Sequence, residues 1–254
     1  MKVTILGCGT SSGVPRIGND WGACDPDQLR NARMRSAAVV EAAGFALLID
    51  TPPDLRSQML ATGVHAIDAV FWTHDHADHC HGIDDLRAVF HARRAPIPGY
   101  ACARTMASLN ARFAYVFAGN AGYPATVAIH DIADTPAIGP FAIATVEQPH
   151  GPVSSTGIRV SHDGRSVGYA IDFSAVTDAM VALFTGVDLL IVDCLRARPH
   201  PTHADQAMAM DLITRTGAKS ALLTHMDNSM DYDTLCAALP PHIRPAHDGQ
   251  VVML

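Results

Sequence analysis

The sequence lacks any apolar run approaching the roughly 20 residues that a membrane-spanning helix needs. Its first seven residues, Met1–Gly7, carry one lysine and a short apolar run that a glycine ends, which is typical of a strand and not of a signal peptide. The six cysteines include no CxxC pair, which in a chain of 254 residues favours reduced thiols over a disulfide framework. We therefore expect a cytoplasmic protein with no membrane partner.

Positive charge is also scarce in this sequence. Lysine and arginine number 18 against 25 acidic residues, which gives a formal net charge of −7 and disfavours a broad nucleic-acid-binding face. Charged residues make up 17%, too few for a disordered chain, while the 48% of hydrophobic residues are enough for a core. No shift in composition marks a linker, so we expect one domain over residues 1–254.

Short apolar runs recur along the chain, and each ends on a polar residue. The pattern predicts buried strands that deliver polar side chains to one edge of a sheet. Further strands are expected in residues 36–50, on either side of a turn at 43–44, and within residues 141–172. The four runs are Phe45–Ile49 before Asp50, Val70–Thr73 before His74, Leu189–Val192 before Asp193, and Ala221–Thr224 before His225.

Helical patterns lie between some of these strands. They cover residues 53–62, 84–94, 105–117, 174–184 and 202–216. The last begins with Thr202-His203-Ala204-Asp205, a capping-box pattern that places His203 in the first helical turn. Strands cluster in each half of the chain and helices follow them, which fits two sheets packed face to face with helices outside and also fits a doubly wound sheet.

The clearest chemical signal is the run Thr73-His74-Asp75-His76-Ala77-Asp78-His79 at the end of an apolar strand. Imidazoles and carboxylates are the ligands that divalent transition metals accept, and burying them without a partner is costly. Three more residues of these types end or follow predicted strands elsewhere: His150, Asp172 and His225. Each one alone has an ordinary explanation as a turn or surface residue, but together they predict a metal site.

With these residues the chain resembles the metallo-β-lactamase-fold hydrolases, over essentially its whole length. The resemblance implies an α+β fold, a four-layer αββα sandwich, with a binuclear metal site at the edge between the two sheets. It also implies the ligands: His74, His76 and His150 for one metal; Asp78, His79 and His225 for the other; and Asp172 bridging them. Two divalent ions are expected, zinc or manganese, with iron also compatible with these ligands.

Within that superfamily the chain is most similar to the phosphodiesterase branch typified by phosphoribosyl cyclic phosphodiesterase. The similarity lies in Leu6–Pro15, in Gly82–Arg87, and in Asp193 and His203 before His225. It implies cleavage of a small cyclic or nucleotide-like phosphodiester by a metal-bridging hydroxide. Asp78 would orient the hydroxide or accept its proton, and His203 would bind a phosphoryl oxygen or protonate the leaving group. The resemblance also allows a homodimer, because dimers are common in the family.

Three other functions remain compatible with the same ligands. A tRNA 3′-processing endoribonuclease would use the same metals and His203, although the acidic balance counts against it. An acyl hydrolase, such as a lactonase or thioesterase, would direct the same hydroxide at a carbonyl carbon. A non-hydrolytic accessory protein of the pyrroloquinoline quinone biosynthesis type would use the fold without hydrolysis.

The glycine-rich opening segment allows two interpretations. Residues 7–13 can turn backbone N–H groups toward an anion at the metal edge, or they can form a plain turn. In the similar cyclic phosphodiesterases the following stretch carries clustered cysteines that hold a structural zinc, whereas this chain keeps only Cys24 there. One thiolate does not make a four-ligand site, so we expect no structural zinc.

Overall fold

The structure is a computed structural model that describes residues 1–120 and 122–254. One half of the fold is a seven-stranded sheet with the order β14-β1-β2-β3-β4-β5-β6. Its strands β3, β4, β5 and β6 run parallel to their neighbours in that order. The strands are β1 (Lys2–Gly7), β2 (Ala37–Ala42), β3 (Phe45–Ile49), β4 (Ala69–Phe71), β5 (Ile97–Ala101), β6 (Val127–Asp131) and β14 (Val251–Met253).

The other half is a second seven-stranded sheet with the order β13-β12-β11-β10-β9-β8-β7. Strands β10 to β13 are parallel, and the β8-β9-β10 meander is antiparallel. The strands are β7 (Ala137–Ile138), β8 (Phe141–His150), β9 (Val153–His162), β10 (Arg165–Ala170), β11 (Leu189–Asp193), β12 (Ala221–Thr224) and β13 (Ile243–Pro245).

Helices cover the outer faces of the sheets. The described helices are α1 (Leu55–Thr62), α2 (Ala77–Cys80), α3 (Leu86–Arg93), α4 (Ala103–Arg112), α5 (Ala114–Ala118), α6 (Asp178–Phe184), α7 (Gln206–Thr216) and α8 (Tyr232–Ala238), with 3-10 turns at Leu29–Asn31, Ile83–Asp85 and Ile132–Asp134. Across the described residues, no helix combines the length and apolar character that crossing a membrane takes.

Alternate side chains of each central strand enter different parts of the core, as the period of two in a strand requires. In β3, Leu47 and Ile49 face the second sheet and pack in one cluster with Phe141 and Ile191. Leu48, between them, faces outward and packs in a second cluster with helix residues such as Leu86. This arrangement confirms the predicted sandwich of two sheets with helices outside and excludes the doubly wound alternative.

The helices predicted over residues 105–117 and 174–184 differ from the observed ones. The pattern over 105–117 is two helices, α4 and α5, because the backbone of Phe113 leaves helical geometry at φ −126° and ψ 37°. The helix predicted from residue 174 begins only at Asp178, where the Thr177 hydroxyl accepts the N–H of Met180 and caps it. A cap that bonds its own helix determines the start better than apolar spacing does.

Candidate metal centre

The carboxyl ends of parallel strands from both sheets meet at one edge of the sandwich. Asp50 follows β3 directly and His225 follows β12 directly, whereas Asp172 follows β10 after one intervening residue. All three residues have positive φ, at 65°, 54° and 59° respectively. Left-handed backbone is uncommon in residues other than glycine and clusters where structure is held for function. The strained strand ends therefore mark this edge as the candidate site.

The first sheet supplies one compact group of side chains to this edge. His74 and His76 lie in the segment after β4, and Asp78 and His79 lie in the single turn of α2. His74 and His79 are fully buried, whereas His76 is exposed. A single short segment thus presents donors at different depths of the same edge.

The second sheet supplies His150, Asp172 and His225 from three different strand ends. Asp172 is central: its Oδ2 lies 3.4 Å from His74 Nε2 and 3.3 Å from His150 Nε2. His76 Nδ1 lies 3.3 Å from the same His150 nitrogen. These four side chains bring one donor atom each to within 4.8 Å of one another, as the ligands of one ion must.

A second donor group lies on the other side of the Asp172 carboxylate. Asp78 Oδ2 lies 3.4 Å from the Nε2 atoms of both His79 and His225. Asp172 Oδ1 lies 3.4 Å from His225 Nε2. Asp172 Oδ2 also lies 3.7 Å from His79 Nε2, so the carboxylate of Asp172 contacts donors of both groups.

Several atoms of the two donor groups have no hydrogen-bond partner, which is expected of atoms that bind a divalent cation. Within the described part of the chain, the buried atoms His74 Nε2, His79 Nε2 and Asp172 Oδ1 have no hydrogen-bond partner. Buried polar atoms without partners are costly, and the buried carboxylate of Asp172 and the partly exposed carboxylate of Asp78 add charge of one sign. A cation bound by imidazole nitrogens and carboxylate oxygens satisfies all of these groups at once.

A profile of the family described as the beta-lactamase superfamily domain matches residues 46–226. This span contains both donor groups. The chain belongs to this superfamily, the hydrolases with the metallo-β-lactamase fold. The resemblance drawn from the sequence motifs is thereby confirmed, as is the fold that it implied.

Curated relatives of this superfamily member carry two different names. An octanoyltransferase of Porphyromonas gingivalis is 32% identical over 98% of this chain, but the chain spans only 51% of that protein. A ribonuclease Z of Mycobacterium bovis is 28% identical over 77% of this chain and 71% of its own length. The chain thus spans about half the length of the first relative and matches part of the second.

Solved structures with the same fold include a new diphosphatase from the PhnP family. It is 33% identical, with a TM-score of 0.90, and the alignment covers 100% of this chain and 97% of that one. Zn²⁺-bound PqqB from Methylobacterium extorquens, at 19% identity and full coverage of both chains, has a TM-score of 0.82. The short form of human tRNase Z, at 21% identity over 100% of this chain and 99% of its own, has a TM-score of 0.72. The last two likenesses show the fold alone.

The far nitrogens of the buried imidazoles are held by other groups of this hydrolase. His79 Nδ1 lies 2.8 Å from Asp50 Oδ2. The Thr73 hydroxyl donates to Asp50, so its lone pair accepts from His74 Nδ1 at 3.0 Å. His150 Nδ1 donates to the carbonyl of Thr202 at 2.6 Å. Protons held on the Nδ1 atoms leave Nε2 lone pairs free for a metal, the usual role of groups around metal-ligating histidines.

Burial and nearby carboxylates give two histidines of the site very different pKa values. Burial lowers the pKa of His150 to about 4, so this imidazole is neutral at pH 7. Burial acts on His225 in the same direction, but the carboxylates of Asp172, Asp78 and Asp193 outweigh it and raise the pKa to about 9. A metal entering at His150 finds a free lone pair, whereas at His225 it displaces a proton.

His203 lies beside the donor cluster, but not where the sequence pattern places it. The residue that caps α7 is Asp205, whose Oδ1 accepts the N–H of Met208, so His203 precedes the helix. Its ring stacks on His225 at 4.9 Å between centroids, and its Nδ1 lies 3.4 Å from Asp193 Oδ2. The prediction that His203 lies in the first helical turn is wrong. The Thr202 hydroxyl pairs with Nδ1 of His200, and Asp205 caps the helix three residues later.

The opening segment uses most of its N–H groups inside the protein. Cys8 donates to Asp248, Gly9 to the carbonyl of Met34, and Thr10 to the carbonyl of Met226, next to His225. A Cβ added at Gly7 would lie 2.2 Å from a backbone oxygen, so this glycine permits close packing. These contacts favour the plain-turn interpretation for residues 7–10.

Cys24 lies in the chain after this segment and is buried beside a cation. Its Sγ lies 3.8 Å from Nη1 of Arg33, which is itself 2% exposed and donates to the carbonyls of Asp227 and Met230. Arg33 thereby joins the opening segment to the chain that follows His225. No local sequence pattern predicts this contact, because Cys24 and Arg33 lie on opposite sides of the turn at Leu29–Asn31.

Proposed function

We propose that this chain is a binuclear metal-dependent phosphodiesterase that cleaves a small cyclic or nucleotide-like phosphodiester. The observation that carries the proposal is the position of His203 between the seven proposed ligands and the carboxylate of Asp193. His203 and Asp193 also lie within metal-binding distance of Asp172 and His225, and we assign His203 to proton transfer. Zinc or manganese fits the imidazole and carboxylate donors, and iron is compatible with them. When bound, the two cations supply an ionised water at neutral pH and neutralise phosphoryl oxygens.

The side chains of the protein supply the proton transfers. Asp78, a partly exposed carboxylate at the mouth of the donor cluster, orients the attacking water or accepts its proton. The Asp193 carboxylate lies 3.4 Å from His203 Nδ1 and orients the ring, so that its opposite nitrogen is directed away from Asp193. The opposite nitrogen of His203 then protonates the leaving oxygen.

Phosphorus chemistry is favoured over acyl transfer by this acid and by the similar diphosphatase. A leaving alkoxide or phosphate of a phosphodiester or diphosphate needs stabilisation, and a histidine that is not a metal ligand can supply it. The 33% identical structure is that of a diphosphatase, and the alignment covers 97% of its chain. A phosphorus–oxygen–phosphorus bond is therefore the second candidate substrate. The octanoyltransferase name belongs to a protein of which this chain spans 51%, so acyl transfer can reside in its other half.

The test is hydrolysis by the metal-reconstituted protein. We expect turnover of bis(p-nitrophenyl) phosphate with two zinc or manganese ions per chain, and faster turnover of one member of a panel of cyclic ribose phosphates, cyclic nucleotides and nucleoside diphosphates. His203→Ala should lower kcat about a hundredfold or more, with unchanged metal content. Lactone or thioester hydrolysis without phosphodiester hydrolysis would contradict the proposal, as would cleavage of tRNA precursors alone.

A further inference from the structure

The segment between β11 and α7 forms a closed and braced loop at the mouth of the site. Backbone bonds close it where Leu195 donates to the carbonyl of Ala204 at 2.9 Å. The guanidinium of Arg196 braces its tip, donating to the carbonyls of Arg198 at 3.3 Å and Pro199 at 2.9 Å. An internally bonded loop holds its side chains in fixed positions, which the loop of a substrate site requires.

Thr202, inside this loop, connects two histidines. Its carbonyl accepts from Nδ1 of the metal-site residue His150. Its N–H and its hydroxyl lie 3.3 Å and 3.2 Å from Nδ1 of His200. The contact is close: a Cβ added at Gly151 would lie 2.6 Å from the Thr202 methyl group. The peptide of Thr202 therefore fixes His200 relative to the metal site.

These bonds determine which nitrogen of His200 carries the proton. A backbone N–H can only donate, so Nδ1 of His200 must be the acceptor and carries a lone pair. In the neutral imidazole the proton then lies on Nε2. His200 is thereby held as a donor on the side of the ring away from Thr202.

His200 lies next to the catalytic candidates and remains accessible. Its ring centroid is 5.1 Å from that of His203, which in turn lies 4.8 Å from His150 and 4.9 Å from His225. His200 is partly exposed, whereas the metal-site imidazoles of His150 and His225 are buried. A substrate oxygen near His203 is thus within reach of a second donor from the same loop.

We propose that His200 contacts the substrate through its Nε2–H, which donates a hydrogen bond to a phosphoryl oxygen beside the one served by His203. This inference rests on the proposed function for the identity of the reaction, but the hydrogen-bond donor itself does not. The chemical class that the pair recognises is an anionic phosphoryl group with two oxygens directed at the loop.

Three substitutions separate the donor from the ring. His200→Ala removes both; His200→Gln can place an amide nitrogen near the position of Nε2; His200→Asn reaches only the position of Nδ1. We expect the alanine and asparagine variants to lose about tenfold to a hundredfold in kcat/KM for bis(p-nitrophenyl) phosphate, and the glutamine variant to recover at least half of that loss on a logarithmic scale. Metal content should equal that of the parent protein in all three, and His65→Ala, an exposed histidine outside the site, is the matched control.

A second readout does not depend on turnover. Nitrogen-15 NMR of the metal-loaded protein should show His200 with its proton on Nε2, and calorimetry should show inorganic phosphate binding about tenfold more weakly to His200→Ala than to the parent. Unchanged phosphate affinity, a proton on Nδ1, or loss of metal from His200→Ala would each overturn the inference. If the parent protein binds phosphate through His200 but hydrolyses no phosphodiester or diphosphate, the proposed function fails and the donor stands.

Discussion

The two sheets build the candidate metal centre in different ways. The first sheet contributes a group of four donors from one short segment, His74 to His79, whereas the second contributes one donor from each of three strand ends separated by long stretches of chain. Asp172, from the second sheet, contacts donors from both sides of the site. The sequence motif is local, but the site is complete only when the sheets pack.

The strongest way to break this comparison is to remove the shared carboxylate. Asp172→Asn keeps the shape of the side chain but loses its charge and one acceptor oxygen. Because both donor groups use Asp172, we expect loss of both ions and a fall in phosphodiester hydrolysis of about a thousandfold or more. Metal analysis per chain and turnover measure the two effects. One tightly held ion in this variant would show that one donor group is sufficient without Asp172.

Removal of one local donor should have a more limited effect. His76 is the exposed member of the first group, so His76→Ala should leave the melting temperature within about 2 °C of the parent. Hydrolysis should fall about a hundredfold or more, because one ion loses a ligand. Metal analysis should show the second ion retained. Unfolding of this variant would contradict the separation of site and fold at this residue.

Substitution of Asp50, a buried carboxylate that contacts the first donor group, should have a smaller effect on metal binding. Asp50 accepts hydrogen bonds from the Thr73 N–H, the Thr73 hydroxyl and His79. Among the described residues, Asp50 is not a member of the groups that could hold a metal ion. Asp50→Asn should weaken metal binding about tenfold to a hundredfold, the usual loss when the partner of a metal-ligating histidine is changed. Competition with a chromophoric chelator measures it. Equal affinity in both proteins would show that strand geometry alone orients His79.

Much of this centre could be predicted from the sequence, because short apolar runs that end in polar residues identify strand ends. Asp50, Asp193 and His225 all follow such runs, and all three lie at the predicted edge. The start of α7 could not be predicted in the same way. Thr202 and Asp205 are both capable caps, but the Thr202 hydroxyl pairs with Nδ1 of His200, two residues away, and Asp205 caps the helix. The capping-box pattern alone does not show which of the two side chains bonds the helix.

The contact between Gly151 and Thr202 tests how rigidly the second sheet holds its donors. Gly151 and Gly164 both have left-handed backbone, at φ +60° and +72°, but a Cβ at Gly151 meets Thr202 at 2.6 Å while nothing lies within 4 Å of one at Gly164. Gly164→Ala therefore reports the backbone strain alone. We expect Gly151→Ala to lower the free energy of unfolding by about 1–3 kcal/mol more than the control, and to weaken metal binding through His150. Urea denaturation and chelator competition measure both.

The smallest expected effect is a difference in proton release between two histidines of the second sheet. In the metal-free protein His225 has a pKa of about 9 and His150 of about 4, so at pH 7 only the former holds a proton that a metal must displace. The sign follows directly: below pH 9, each fall in pH favours the imidazolium and weakens metal binding. Displacement of the His225 proton alone contributes about a tenfold change in affinity per pH unit between pH 7 and pH 8.5. The carboxylates of Asp78, Asp172 and Asp50 also raise the pKa of His79, so this histidine steepens the slope further. Chelator competition at several pH values measures the slope. A flat profile would mean that His225 is already neutral before the metal arrives, and that the carboxylates around it are compensated in another way.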